Sequence, residues 1–398
     1  MNQTGTLILT LNGGSSSIRF ALYRLDDTLE RQVHGKIERI GFEHPILSTT
    51  SVTGQRQLLG CPAASDYPSA AKALLDWLDT QESVQAIVAI GHRVVHGMNH
   101  QEPEIITPVL LDELRHFEVA DPEHLPGEVA LIEICQSRRP AIAQVACFDT
   151  AFHRQMPRVA KMLAVPRRLE AIGVQRYGFH GLSYAYLMEE LARSADSSAT
   201  KGRVILAHLG NGASMAAVQN GRSIDTSMGF TPASGLLMGT RSGDLDPGLA
   251  LFLSRTEQMT GAQFDDMVNR QSGLLGISQT SSDMRDLLER EVSDVRAGEA
   301  VALFCYTAKK CLGAYAAALG GLDTLVFAGG IGESAPLVRA RICEGLGFLG
   351  IELDSSRNGH NSAVISSAAS RVSVRVIRTD EELMIARSVC RVLELMPS

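Results

Sequence analysis

Four side chains stand where chemistry needs them, at the ends of apolar runs or in segments without periodicity: Arg93, Asp149, His180 and Arg241. Arg93 lies near the end of the continuous apolar segment Ala86 to Val95, AIVAIGHRVV. A guanidinium at the end of a buried strand is costly to place without an anion, so it reads either as an anion ligand or as half of a surface salt bridge. Asp149 follows a second such run, Ala141 to Phe148. It reads either as a carboxylate converging with Arg93 at the strand ends, where α/β proteins build their sites, or as a helix cap. His180 sits among aromatic residues and glycines in RYGFHGLS, and Arg241 in the long segment Asp225 to Asp246. A stretch that long without periodicity is a functional loop or a disordered insert, and Phe230, Leu236, Leu237 and Met238 argue against the insert.

Three glycine-rich turns complement these charges. Arg203 to Val218, RVILAHLGNGASMAAV, reads as strand, tight turn, strand. Thr6 to Tyr23, TLILTLNGGSSSIRFALY, has the same form, and Thr324 to Ser334, TLVFAGGIGES, is a third version. Such a turn can aim consecutive backbone N–H groups at one spot and lets a phosphate approach without meeting a Cβ. Any one of them read alone is equally a plain hairpin. Two similar hairpins, each heading an α/β segment, suggest a duplicated domain whose turns face across a cleft.

The elements that position these residues follow from periodicity. Helices are expected over Pro68 to Asp79, from Pro108 behind Thr107 as N-cap, from about Glu128 to Gln136 after a loop Asp121 to Gly127, and near Leu182 to Arg193. Further helices are expected near Phe264 to Arg270, Asp283 to Arg290 behind Ser282, Gly298 to Leu319, and Pro336 to Glu344. The last helix opens at TDEE, where Thr379 and Glu382 have capping-box spacing. Strands are expected near Val33 to Ile37 and over Arg371 to Arg378. Alternation of apolar strands with helices argues for α/β architecture.

Composition excludes several classes. The 398 residues, 45% hydrophobic and 20% charged, suit a soluble chain of two domains. No apolar run reaches the roughly 18 residues of a membrane span, and no basic segment followed by an apolar core opens the chain, so a cytoplasmic protein is expected. A net charge of −7 gives nucleic acid or an anionic membrane no electrostatic reason to bind. Seven scattered cysteines without a CxxC predict buried free thiols. There is no GxxxxGK[ST]. Gly345, Gly347 and Gly350 match GxGxxG but follow a predicted helix, which fits a helix end and not a dinucleotide turn. His92, His96 and His100 would form a zinc face on a helix, but Val94, Val95 and Gly97 make a helix there unfavourable.

The same residues carry a family resemblance. In chain order they read NxGSSS from Asn12, GHRVVHG from Gly91, FDTAFH from Phe148, YGFHG from Tyr177 and HLGNGAS from His208. Then follow DTSMGFTP from Asp225, GLLMGTRSGDLDPG from Gly235, SSDMR from Ser281, GGIGES from Gly329 and TDEEL from Thr379. The chain resembles the acetate kinases of the acetate and sugar kinase, Hsp70 and actin superfamily. The resemblance implies an α/β fold of duplicated actin-like (ribonuclease H-like) domains with an interdomain cleft. It implies an N-terminal domain of residues 1–150, joined by a C-terminal helix 382–398, and a nucleotide-binding domain of residues 151–381. It also implies reversible transfer of the ATP γ-phosphoryl group to acetate or another short-chain carboxylate, giving an acyl phosphate and ADP, by a homodimer.

By the family pattern, Arg93 and Arg241 bind the carboxylate and the transferring group, His180 donates to it, and Asp149 orients them. Val95, His124, Phe179 and Pro232 line the acid pocket. Asn12 and Glu381 position Mg²⁺ or Mn²⁺, and Glu382 is left to the capping box. The nucleotide lies along Arg19, along His208, Leu209, Gly210, Asn211 and Gly212, along Asp283, Met284 and Arg285, and along Gly330, Ile331, Gly332, Glu333 and Ser334. A propionate or butyrate kinase is the neighbouring possibility, and a nucleotide-binding regulator without catalysis is the rival from another class. That rival needs the turns but not Arg93, Asp149, His180, Arg241 and Glu381 together.

Three departures from the family pattern stand out. Arg19 replaces a lysine, Ser334 replaces an asparagine, and the loop that typically reads APLHNP is here Asp121, Pro122, Glu123, His124, Leu125, Pro126. Glu123 thus stands where a leucine lines the pocket for the acetate methyl group. A carboxylate aimed into an anion site would weaken binding, so Glu123 is expected to turn away or to pair with a cation.

Overall fold

The computed structural model describes residues 6–14, 16–61, 64–81, 85–119, 121–194 and 197–395. Ser15 of the first turn and residues 396–398 of the expected last helix lie outside them. By contacts the chain divides into two compact units, Met1–Ala151 with Asp380–Ser398, and Phe152–Thr379.

The first unit holds β1 (Leu7–Gly14), β2 (Ser17–Leu25), β3 (Leu29–Glu38), β4 (Ile46–Ser51), β5 (Arg56–Gly60), β6 (Ile87–Val94), β7 (Glu104–Ile105) and β8 (Ala143–Phe148). They form one sheet in the order β5-β4-β3-β2-β1-β6-β8-β7. The second unit holds β9 (Arg203–Leu209), β10 (Ala213–Gln219), β11 (Arg222–Thr226), β12 (Thr324–Ala328) and β13 (Ser373–Val376), in the order β11-β10-β9-β12-β13. The two sheets share a plan. In β3-β2-β1-β6-β8 and in β11-β10-β9-β12-β13 alike, two antiparallel pairings are followed by two parallel ones. The duplication suggested by two similar hairpins is therefore present in strand order and direction.

Helices α1 (Tyr67–Asp79), α2 (Pro108–Phe117) and α3 (Leu125–Arg138) belong to the first unit. Asp66 caps α1 by accepting from Ser69 N–H at 2.8 Å, and Ala70, Ala71, Leu74, Leu75 and Leu78 bury one face into a core with Leu9, Leu11, Phe20 and Ile90. Thr107 caps α2 as expected. Helix α3 begins three residues before the expected Glu128, because Pro126 in a first turn costs no backbone donor. The second unit contributes α4 (Gly181–Ser194), α5 (Met284–Arg290), α6 (Val295–Leu319), α7 (Gly329–Ser334) and α8 (Pro336–Cys343). Helix α9 (Glu381–Val392) belongs to the first unit, and Gly91 of β6 gives it room: a Cβ there would fall 2.4 Å from Ile385 and 2.6 Å from Val389.

Several local expectations change. The turn after β12 does not lead into another strand but into α7. Asp283, not Ser282, caps α5, and Asp380, not Thr379, caps α9 by accepting from Leu383 N–H at 3.0 Å. The expected helix over 264–270 is a short α-helix, Gly261–Asp266, followed by a wider π turn. The polar region before Tyr67 contains β4 and β5. All seven cysteines are free, with six buried and Cys311 partly so. The glycines from Gly345 follow a helix end, and His92 lies on a strand. Among the described residues no helix is long and apolar enough to cross a membrane.

Candidate active site

In the first unit the parallel pairing of β6 with β8 sets Arg93 beside Cys147, and Asp149 N–H continues the ladder to Val94 C=O at 2.9 Å. Arg93 and Asp149 therefore meet at adjacent strand ends. Nε and Nη2 of Arg93 donate to Asp149 Oδ2 at 3.0 and 2.6 Å, and Nη1 donates to the Gly13 carbonyl at 2.7 Å. The pair is not a surface salt bridge: the side chains are 13% and 0% exposed. A guanidinium has five N–H groups. Three are committed to the described residues, which leaves one on Nη1 and one on Nη2, as many as a bidentate carboxylate takes. Burial alone would lower the pKa of Arg93, but Asp149, Glu381 and Glu128 outweigh it and fix the positive charge.

The other first-unit candidates lie on β1, β2, at the end of β6 and before α3. Val95 is buried. His124 precedes α3 and bonds through Nδ1 to Asp121 Oδ1 at 2.9 Å. Burial would raise the pKa of Asp121, yet that hydrogen bond and the nearby charges of His124, His96 and Arg93 hold it below the usual range. Glu123 is half-buried. Asn12, at the end of β1, donates through Nδ2 to Glu381 Oε2 at 2.9 Å and Glu382 Oε1 at 3.2 Å. Glu382 is thus not a capping-box residue but a second partner of Asn12. Arg19 stands across from Asn12 in the β1/β2 register and lines a pocket of about 370 Å³ with Arg31, His34, Lys36, Arg56 and Glu382.

In the second unit the β9/β10 turn is the organising feature. His180, with a left-handed φ of 59°, lies at the mouth of α4. Its Nδ1 bonds Ser214 Oγ at 2.8 Å and its ring stacks on His208 with centroids 4.3 Å apart. Ser214 in turn meets the Tyr184 hydroxyl, and His208 Nδ1 bonds Ser183 Oγ at 2.8 Å. Arg241 donates through Nη1 to the Pro232 carbonyl at 2.8 Å. The segment Asp225 to Asp246 is tied to the turn, since Gly239 N–H donates to Asn211 C=O at 2.9 Å. A Cβ on Gly212 would fall 2.8 Å from Arg241 Nη2 and 3.3 Å from His180 Nε2, so both candidates close on this glycine.

Strand β12 pairs in parallel with β9, with Ala328 opposite His208, which sets Gly330 to Ser334 beside the same turn. Glu333 faces inward: its Oε1 accepts from Gly329 N–H at 2.9 Å and Thr379 N–H at 3.1 Å. Asp283 accepts from Arg285 N–H at 2.9 Å and pairs with its guanidinium. Phe179 is buried and its carbonyl bonds His153 Nε2 at 3.1 Å, while His153 Nδ1 bonds Ser223 Oγ at 2.8 Å. Burial pushes His153 down to about 4. The sequence reading missed Glu128 and Ser183, took Ser214 only as part of the glycine-rich turn, and left Glu382 to the capping box.

The model of the acetokinase family matches residues 7–387. The chain belongs to the acetokinase family. The acetate kinase of Rhodopseudomonas palustris strain TIE-1 is 44% identical over 394 residues, covering 98% of each chain. That of Coprothermobacter proteolyticus is 42% identical, covering 97% of this chain and 98% of its own. Among solved structures, the acetate kinase of Porphyromonas gingivalis superposes with a TM-score of 0.87 at 36% identity, over 98% of this chain and all of that one. The propionate kinase of Francisella tularensis superposes with a TM-score of 0.90 at 36% identity, over 97% and 100%. In this acetokinase the Arg93–Asp149 pair and the His180, Arg241 and Gly212 group are each fully assembled within their own unit.

Proposed function

We propose that this acetokinase catalyses reversible transfer of the ATP γ-phosphoryl group to acetate, giving acetyl phosphate and ADP. One observation carries the reading: Arg93, held by Asp149 and the Gly13 carbonyl, has two N–H groups not committed to the described residues, as many as a planar carboxylate takes. A bound acetate oxygen attacks the γ-phosphorus in line, the new O–P bond forms, and the bond to the β-phosphate oxygen breaks with its electrons leaving on ADP. The acid is already ionised at neutral pH, so no general base is needed, and Asp149 serves to orient Arg93. Charge grows on the equatorial oxygens of the transferring group, where positioned cations and donors contribute most. Arg241 and His180, both against Gly212, are assigned that role. On the first unit, Val95 and His124 are assigned to the acid. On the second unit the nucleotide is assigned to His208 to Gly212, Asp283 to Arg285 and Gly330 to Ser334, with Glu333 bonding the backbone of the third segment.

A divalent cation fits Asn12 and Glu381. The Asn12 amide oxygen and the Glu381 carboxylate are hard oxygen donors of the kind suited to Mg²⁺ or Mn²⁺, and the hydrogen bond between the two side chains keeps them neighbours. No group of three or more His, Cys, Asp or Glu side chains arranged to hold a metal exists among the described residues. The cation would take its other ligands from phosphate and water, and when bound it neutralises phosphate charge. The reading includes a cytoplasmic homodimer. Large apolar side chains exposed on the second unit, Phe252, Leu251, Leu303 and Tyr306, support self-association.

A propionate kinase is the second reading, favoured by the similarity to the Francisella propionate kinase. A coupled assay of acetate, propionate and butyrate against ATP, GTP and pyrophosphate tests both. Acetate with ATP should give the highest kcat/KM, a propionate preference selects the second reading, and no turnover with any acid overturns both.

A further inference from the structure

The Arg93 guanidinium is bracketed by two carboxyl groups, and only Asp149 is accounted for by the reaction. The other is Glu128, in the first turn of α3. Its side chain is 3% exposed, and burying a carboxyl group so completely carries a penalty that its partners must offset. Glu128 Oε2 accepts the Val95 N–H at 2.9 Å. Its Oε1 lies 3.9 Å from Arg93 Nη1, the nitrogen that also donates to Gly13. One side chain of α3 therefore reaches both the guanidinium and the backbone two residues further along the same chain segment.

The surroundings are built to hold it there. Glu128 Oε1 and the Tyr67 hydroxyl are both buried without a hydrogen-bond partner among the described residues. A Cβ on Gly13 would fall 2.2 Å from the Tyr67 hydroxyl and 3.4 Å from Glu128 Cγ, and one on Gly127 would fall 3.1 Å from the Tyr67 ring. Glycine at 13 and 127 thus lets the phenol and the carboxyl group close on the first turn.

We propose that Glu128 is a positioning residue that fixes Arg93 and Val95 together, and so sets the spacing between the charged and apolar halves of the acid pocket. The proposal rests on the reading that Arg93 takes the substrate carboxylate and Val95 faces its alkyl end. The charged and titratable groups facing Glu128 are Arg93, Asp121, Asp149 and Tyr67. Burial is the largest influence and, against the pull of Arg93 and the Val95 N–H, pushes Glu128 up to about 8. A largely neutral acid holds its place by hydrogen bonding and leaves the Arg93 charge, balanced by Asp149, able to attract a substrate anion. Glutamine mimics that state, whereas leucine fills the volume without the acceptor and asparagine keeps polarity but withdraws it by one methylene.

The test measures KM for acetate and for ATP in the full-length enzyme carrying Glu128→Gln, Glu128→Leu or Glu128→Asn. The expected result is an acetate KM at least about tenfold higher for Leu and Asn, ATP KM within twofold, and Gln within threefold of the parent on both. Should Leu fail to fold, Asn carries the same expectation. An unchanged acetate KM in Asn, an equal rise in both KM values, or a Gln variant as impaired as Asn would each overturn the proposal. Arg93→Ala, run in parallel, separates the two levels. If it leaves acetate KM unchanged, the acid-binding reading itself fails. If it raises acetate KM while Glu128→Asn is silent, only the positioning role fails.

Discussion

Nη2 of Arg241 stands 2.8 Å from the point a Cβ on Gly212 would occupy. The glycine is therefore a matter of clearance: its φ lies outside the left-handed region, so alanine fits the backbone. The added methyl group must displace the Arg241 side chain and press on His180, 3.3 Å away from the same point. Gly212→Ala is expected to lower kcat at least tenfold with a melting temperature close to the parent. Unchanged kcat would show that neither side chain depends on this clearance.

Arg241 itself tests the transition-state assignment. Removing one preorganised donor from developing charge typically costs on the order of a hundredfold or more in kcat. Arg241→Ala should lose at least about that while circular dichroism and melting stay intact, because the side chain is only partly buried and stands on a segment outside helix and strand. Near-normal turnover in this variant would sink the proposed mechanism.

How far the sequence carried can be judged residue by residue. Continuous apolar runs marked β1, β6, β8, β9 and β12 because strands buried on both faces have few other readings. Strands β4 and β5 were hidden, since ILSTTS and RQLLG show no clean alternation. Cap positions slipped by one where two capping residues stood side by side, as at Ser282 and Asp283, or Thr379 and Asp380. The Arg93–Asp149 pair was foreseen as one of two alternatives because both residues end strands, whereas their partner Glu128 looked like an ordinary first-turn acid, favourable at any helix start. Nothing in its spacing announces that its carboxyl group turns inward to Val95. The gathering of His180, Arg241 and Gly212 was legible only through the family pattern, because spacing does not announce a left-handed backbone at a histidine.

Stability should depend on pH through the buried histidines. Burial pulls His92 down to about 4, with only partial relief from its 2.6 Å bond to Gln144. In the unfolded chain it titrates near its ordinary value of 6.5. As pH falls from 6.5 toward 4 the unfolded state takes the proton first, so stability present above 6.5 is lost, by up to roughly 3 kcal/mol for this group. Glu128, raised instead of lowered, has the opposite slope between its ordinary value and about 8, and cancels when parent and variant are compared. His92→Gln should flatten the fall in melting temperature between pH 7 and pH 5. Parallel curves for the two proteins would show that His92 does not stay neutral in the folded state.

Glu123 decides whether the acid pocket departs from the family pattern. It is half-buried beside His124, whose ring is turned to Asp121. If its carboxylate borders the acid, replacing it by leucine removes a repulsive charge and adds apolar surface, so acetate and propionate should both bind more tightly. Glu123→Leu is then expected to lower KM for the two acids at least threefold, with propionate gaining more, and to leave ATP KM within twofold. Equal effects on acid and nucleotide, or none, would place the carboxylate away from the bound acid.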